Sequence, residues 1–558
     1  MDLTPNALRA DTVGIDALIQ TPFGTRRVVY ADFTASGRQL GIVERRLAEY
    51  ARLYANAHTE DSTTGRAATH LLHEAERAIK RHVGAGETGK VICCGSGSTA
   101  AIHKLQEILG LAVPPATLRR LGAELVGDEH ADAFASGLRA RGPVVFVGPY
   151  EHHSNEVTWR EGLGTVVEVA LDCDGQVCLD DLAAHLADPR WEGREKIGSF
   201  SAASNVTGVV APVHEIARVL HRHGALALFD YAAAGPYVEI DMQASGDAEA
   251  RLDAVFLSPH KFLGGPGSCG LLVFHEALYP RGLAPSVGGG GTVTYVNGHS
   301  HDFADDIEAR ETAGTPGFFQ TLRAALAMEV KAGVGVETIH AREHEHAARA
   351  LAAWREHPGI EVLGPDDPDA RLGIVSFNVR GASGALLHPR FVTVLLDDLF
   401  GIQSRAGCSC AGPYGHRLLG VDAETSDRHR ACVAGGVHGY KPGWARVGFH
   451  YTMDRAEAAF VTDAVLFVAE HGLRFLPLYD FDVASGAWTH REGGRSAPAF
   501  GLHTEPLAPV APVAPEARVR MYEDTLEAAH SLAAGLATPE ASRKLEGEHA
   551  ELQFFALA

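Results

Sequence analysis

Long apolar runs are missing from this sequence. Nowhere in its 558 residues does a hydrophobic stretch approach the roughly 20 residues that a helix needs to cross a bilayer. The opening residues, Met1-Asp2-Leu3-Thr4-Pro5-Asn6, lack the basic region and apolar stretch of a secretory signal. Cysteine is sparse. Eight in so long a chain build no disulfide framework, so reduced thiols and a cytoplasmic location are expected. Positive charge is short as well: 49 Lys and Arg face 70 Asp and Glu, a net charge of −21. That balance argues against nucleic acid and anionic lipid as partners, though small anionic ligands respond to local fields. No internal repeat is found. The remaining composition, 46% hydrophobic and 21% charged, is that of a soluble globular protein. The length exceeds one ordinary core, so two or three domains are expected.

Two short apolar runs end in reactive residues. Ala225–Phe229 (ALALF) leads into Asp230, and Ala254–Leu257 (AVFL) leads into Ser258-Pro259-His260-Lys261. Each run reads as a buried strand of an α/β sheet. Such sheets place ligand chemistry at the carboxyl ends of their strands. A carboxylate and a lysine at that edge suit pyridoxal phosphate (PLP), which takes a lysine on its aldehyde carbon and an acid beside its pyridinium nitrogen. The same two residues would equally serve as a strand-end cap and a surface lysine.

The neighbouring motifs narrow the reading. Ser258-Pro259-His260-Lys261 resembles the Ser-x-His-Lys segment of class V aminotransferases, a branch of the fold-type I PLP enzymes. Ser204-Asn205-Val206-Thr207-Gly208 precedes it in the family's order. Arg405-Ala406-Gly407-Cys408-Ser409-Cys410-Ala411 is similar to the Arg-x-Gly-x-x-Cys-Ala loop of group II cysteine desulfurases and selenocysteine lyases. The ordered matches run from about Tyr30 to about Leu473.

Other segments take meaning from that resemblance. Val91–Cys94 reads as a strand, followed by Gly95-Ser96-Gly97-Ser98-Thr99 and a helix from about Ala100. A helix start with glycines and hydroxyls suits a phosphate, or simply an N-capped turn. The resemblance favours phosphate, with Ser98 and Thr99 as donors. Glu151-His152-His153 follows the strand Val144–Val147, and by position His152 stacks on the cofactor and relays protons. The resemblance places Asn205 near the cofactor's phenolic oxygen, Ser258 and His260 among the cofactor-binding residues, and Thr315 at the phosphate of a partner subunit. It also makes Arg446 the holder of the substrate's α-carboxylate, a task that suits a planar guanidinium. Arg405 and His58 join it as substrate-binding residues. Two positions depart from the family: Thr59 stands where an arginine usually follows the histidine, and Ala233 where a glutamine is common. His299, His301 and Asp302 read as a polar loop, so no metal is expected.

The expected architecture is α/β, of PLP-dependent fold type I. An N-terminal segment covers 1–29, and a large mostly parallel-sheet domain covers 30–318 with an insertion at 112–142. A smaller α+β domain carrying the cysteine loop covers 319–475, and a Pro-rich linker with a helical extension covers 476–558. Thr321–Ala347 reads as one long helix, Pro413–Gly443 as a lid, and Arg518–Leu536 and Pro539–Phe555 as a helical pair. The implied function is removal of sulfur from L-cysteine, or a related sulfur or selenium amino acid, by a homodimer. Lys261, His152 and Cys410 are the catalytic residues, and a protein is the possible sulfur acceptor. Two alternatives stay open: a PLP-dependent C–S β-lyase or aminotransferase in which Cys410 only lines the site, and a scaffold that kept the fold without catalysis.

Overall fold

The computed structural model describes residues 2–57, 59–365, 367–381, 384–493, 501, 510–539, 543–547 and 549–558. The chain forms two compact units, one of residues 36–204 and 210–336, the other of 1–35, 205–209 and 337–558.

The first unit is α/β and is built on a seven-stranded sheet. Its strand order is Gly89–Cys94, Gly270–His275, Ala254–Leu257, Leu226–Asp230, Lys196–Ser201, Val144–Val147 and Thr165–Glu168. Only Gly270–His275 runs against its neighbours; the other pairings are parallel. The strands Val144–Val147 and Ala254–Leu257 carry unbroken apolar sequence because both their faces are covered, and all four residues of each are buried. The helix Gly97–Ile108 lays Ala101, Ile102, Leu105 and Ile108 on Ile92, Phe256 and Leu272 of the sheet. Register sets the chemistry: Ser201 pairs with Asp230, and Asp230 with Phe256, so the strands end together. The region 112–142 forms two helices, Pro115–Val126 and Ala131–Arg141, that bury only Leu118, Gly122 and Ala131.

The expected single helix over Thr321–Ala347 is two. Phe318–Val334 stops at Gly335, whose φ of +84° ends the α-helical path, and Val336–Arg355 begins beyond it.

The second unit holds an antiparallel sheet ordered Ile360–Val362, Ile374–Val379, Trp444–Gly448, Arg405–Gly407. Ser376 and Arg405 flank Arg446 in register. The helices Pro389–Phe400 and Arg455–Phe475 supply much of the apolar core. The region expected as a lid forms two helices, Gly412–Leu418 and Ala423–Ala434, anchored by buried Tyr414 and Cys432. A buried ionic cluster joins distant parts of the sequence: Arg9 bonds Asp16 and Glu457, each at 2.8 Å.

The C-terminal extension belongs to this unit's core. A helix forms over Pro515–Ala534. The linker prolines Pro506 and Pro509 lie outside the described residues, as do parts of 539–555. The described residues after 542 form one short 3₁₀ turn, Ala550–Leu552, and an extended tail instead of a second helix. The Gln553 side chain explains why: it accepts from the Leu545 N–H and donates to the Arg543 and Phe555 carbonyls. Those groups are thereby satisfied without an α-helical ladder. Phe555 is 3% exposed, with the rings of His388 at 4.7 Å and Phe481 at 5.1 Å. Phe555→Ala is expected to cost about 3 kcal/mol through lost burial and the cavity left behind. Urea unfolding checks this; an unchanged midpoint would show the tail to be loosely held.

Candidate active site

Asp230 closes its strand at the carboxyl edge of the sheet and is 3% exposed. Burial pushes its pKa up, while the Ala232 N–H at 2.8 Å and the charge of Lys261 pull it down. A buried carboxylate needs such cationic company to stay ionised. Lys261 sits one short 3₁₀ turn beyond Leu257, and that turn, Pro259–Lys261, is closed by the Lys261 N–H to the Ser258 carbonyl at 2.9 Å. The two strand ends therefore bring together the carboxylate and the lysine expected from sequence.

The Gly95–Thr99 loop lies against the same edge. The Ser98 N–H donates to Ser258 Oγ at 2.8 Å, and Thr99 Oγ1 lies 2.6 Å from Ser154 Oγ. Gly97 has φ +61°, and a Cβ there would stand 2.9 Å from His260 Cε1 and 3.0 Å from Ser258 Oγ. This is a close cradle of N–H and hydroxyl groups that only glycine permits, and it fits a phosphate. Burial, and then the charge of Lys261, lower the His260 pKa to about 4, so its ring is neutral at physiological pH. The thiols of Cys93 and Cys94 are pushed up, Cys94 to about 12 by burial. They are not thiolates.

His152 Nδ1 accepts from the Ser154 N–H at 3.1 Å, which leaves the ring proton of the neutral imidazole on Nε2. The residue just before it in sequence is one that sequence reasoning gave no role. Glu151 is 3% exposed and takes bonds from the Gly148 and Ser201 N–H groups, Ser201 Oγ and Asn155 Nδ2. Burial nevertheless pushes its pKa up to about 7. The signal was available in the sequence: a carboxylate directly after an all-apolar strand and its turn.

The second unit carries the remaining candidates. Arg446 is 3% exposed; its Nη2 pairs with Asp32 at 2.9 Å and its Nη1 donates to the Asn205 carbonyl at 2.7 Å. The pairing of Asp32 with Arg446 spans 414 positions. Arg405 approaches the other Asp32 oxygen at 3.9 Å. Asn205 Nδ2 donates to the Ser409 carbonyl at 2.7 Å. In the cysteine loop, Ser409 and Cys410 have φ of +51° and +57°, a conformation that costs side-chain-bearing residues roughly 1–2 kcal/mol each. Cys410 is exposed and Cys408 half-buried. Thr315 is exposed on a turn of the first unit, and His58 lies outside the described residues. His301 belongs to an exposed hairpin strand, His301–Phe303, with its ring 4.9 Å from that of Phe303.

Glu151 makes stability depend on pH. Its folded-state pKa near 7 exceeds the usual 4.5, so the folded protein holds the proton more tightly than the unfolded chain. The contribution of Glu151 is therefore full below pH 4.5 and declines as pH rises towards 7, by on the order of 3 kcal/mol. Glu151→Gln is expected to remove that slope from urea unfolding measured across the same range. An identical slope in the variant would assign the proton elsewhere.

Comparison with known proteins identifies the family. Residues 130–459, more than half of the chain, match the family model "Aminotransferase class-V". A "Probable cysteine desulfurase" of Halalkalibacterium halodurans is 30% identical over 391 residues, covering 69% of this chain and 84% of the relative. A protein of the same description from Staphylococcus aureus is 28% identical, covering 70% and 84%. Among solved structures, the cysteine desulfurase CsdA of Escherichia coli superposes with a TM-score of 0.61 at 20% identity, covering 83% of this chain and 97% of that one. The cysteine desulfurase of Thermococcus onnurineus gives 0.60 at 22%, covering 78% and 93%. These structures share the fold. The chain belongs to the class V aminotransferases and is a cysteine desulfurase-like enzyme of that family.

Proposed function

We propose that the protein binds PLP at the Asp230–Lys261 edge and removes sulfur from L-cysteine, leaving it on Cys410 and releasing alanine. The observation that carries this reading is the buried Asp230 carboxylate beside Lys261, next to a cradle closed to any side chain at Gly97. The donors fit the cofactor: Ser98, Thr99, Ser258 and His260 for its phosphate, Asp230 for its ring nitrogen, Lys261 for its carbonyl carbon. Bound there, PLP supplies an electron sink that makes the substrate's α-proton removable.

The chain's own residues do the rest. Lys261, as a free amine, would take the α-proton. His152, with its proton on Nε2, moves protons at the ring face. Arg446 holds the substrate carboxylate as a fixed cation, helped by Arg405 and His58. Cys410, as thiolate, attacks the substrate sulfur. An S–S bond forms, the Cβ–S bond breaks, and Cβ takes a proton to become the methyl of alanine. The persulfide on Cys410 is a reversible state that a thiol of an acceptor protein can discharge.

The protein works as a homodimer in the cytoplasm on this reading. Leu283, Tyr295 and Val296 are 65%, 58% and 60% exposed, apolar surface that a second copy would cover, and Thr315 would reach that copy's phosphate. No helix among the described residues is long and apolar enough to cross a membrane.

Incubation of the PLP-loaded protein with L-cysteine tests the reaction. Alanine and a persulfide on Cys410 are expected, the latter seen by mass spectrometry. Cys410→Ala is expected to lose sulfur transfer by on the order of a hundredfold while keeping PLP, and Cys408→Ala to lose far less. Pyruvate and free sulfide with full turnover in Cys410→Ala would mark an eliminating lyase. No product would mark a scaffold.

A further inference from the structure

The cysteine loop adopts a conformation that its sequence resists. Gly407, Ser409 and Cys410 all have positive φ, of +121°, +51° and +57°, and only the first is glycine. Two consecutive side-chain-bearing residues hold such a backbone only when their surroundings impose it. The loop's internal turn supplies one restraint, the Ala411 N–H to the Cys408 carbonyl at 3.0 Å. The other comes from far away in sequence. Asn205 Nδ2 donates to the carbonyl of Ser409 at 2.7 Å, across 204 positions. That carbonyl belongs to the peptide unit that begins Cys410.

Asn205 is itself fixed. It is 8% exposed, and its own carbonyl accepts from Arg446 Nη1 at 2.7 Å. Arg446 is oriented by Asp32 at 2.9 Å, and the next residue, Val206, accepts from Ser376 Oγ at 2.6 Å. A single line of bonds thus runs from Asp32 through Arg446 and Asn205 to Ser409. The group that holds a carboxylate and the loop that presents a thiol share one brace.

We propose that Asn205 is a positioning residue for Cys410. Its side-chain amide sets the backbone that aims the thiol, and its carbonyl ties that aim to the placement of Arg446. The role rests on the desulfurase reading. It differs from the contact with the cofactor's phenolic oxygen that family position assigns to Asn205: the amide carries two hydrogens, and one of them goes to the Ser409 carbonyl.

The test uses the PLP-loaded full chain with Asn205→Asp, which keeps the shape and loses the donor, and Asn205→Ala. Amide exchange of the 407–412 segment is expected to quicken by about fivefold or more in both. The kcat for sulfur transfer is expected to fall by about tenfold or more, with KM for L-cysteine little changed and the cofactor retained. A merely structural loss would lower cofactor retention and raise KM together. Unchanged exchange in 407–412 would overturn the proposal, and so would a shifted cofactor absorbance without a change in exchange, which would place Asn205 on the cofactor alone. Failure of the desulfurase reading is distinguishable, because pyruvate and free sulfide at full turnover from Cys410→Ala would remove that reading whatever exchange reports.

Discussion

A carboxylate placed at the buried edge of a parallel sheet is the constraint on which the functional reading depends. Asp230 is pushed toward neutrality by burial and held back by one N–H and by the charge of Lys261. Removing a charge from water is expensive unless a partner answers it. The register that aligns Ser201, Asp230 and Phe256 puts three strand ends at one level, so the loops that follow them share an edge. Glu151 hangs from the Ser201 end by two bonds, and Lys261 follows the third strand. Loss of that register would move every one of these groups.

Much of this was legible because the physics is local. A strand buried on both faces has to be continuously apolar, and the first polar residue after it lies at the edge. That rule alone located Asp230 and Ser258, while Glu151, three residues further beyond its strand, was given no role. The glycine-rich turn before Gly97–Ile108 was legible for the same reason: close backbone approach excludes side chains, and Gly97 has no room for one. Pairings across the chain were not legible. Asp32 meets Arg446 across 414 residues, and Arg9 meets Glu457 across 448. Neither pairing has a sequence period. Helical periodicity ran smoothly through Gly335, since a single glycine leaves the apolar pattern intact while its φ breaks the helix. The tail after 542 misled for a different reason, because Gln553 satisfies by side chain the backbone groups that a helix would have paired.

The thiol-bearing loop follows another logic from the sheet edge. It gains its geometry from bonds made by distant residues rather than from its own preferences, and its backbone at Ser409 and Cys410 is held where such residues seldom sit. Strain of this kind concentrates at functional sites, where a surrounding structure can impose it. The buried Arg9–Asp16–Glu457 cluster and the packed Phe555 tail give the second unit an interior built from both ends of the chain. The sheet that carries Arg446 is part of that unit.

The central claim is that Lys261 and Asp230 together hold PLP at this edge. Borohydride reduction of the PLP-loaded protein, followed by peptide mapping, tests it most directly. The account predicts the reduced cofactor on the peptide that contains Lys261. Recovery of the cofactor on a different lysine, or a protein that binds PLP with no reducible covalent link, would contradict it.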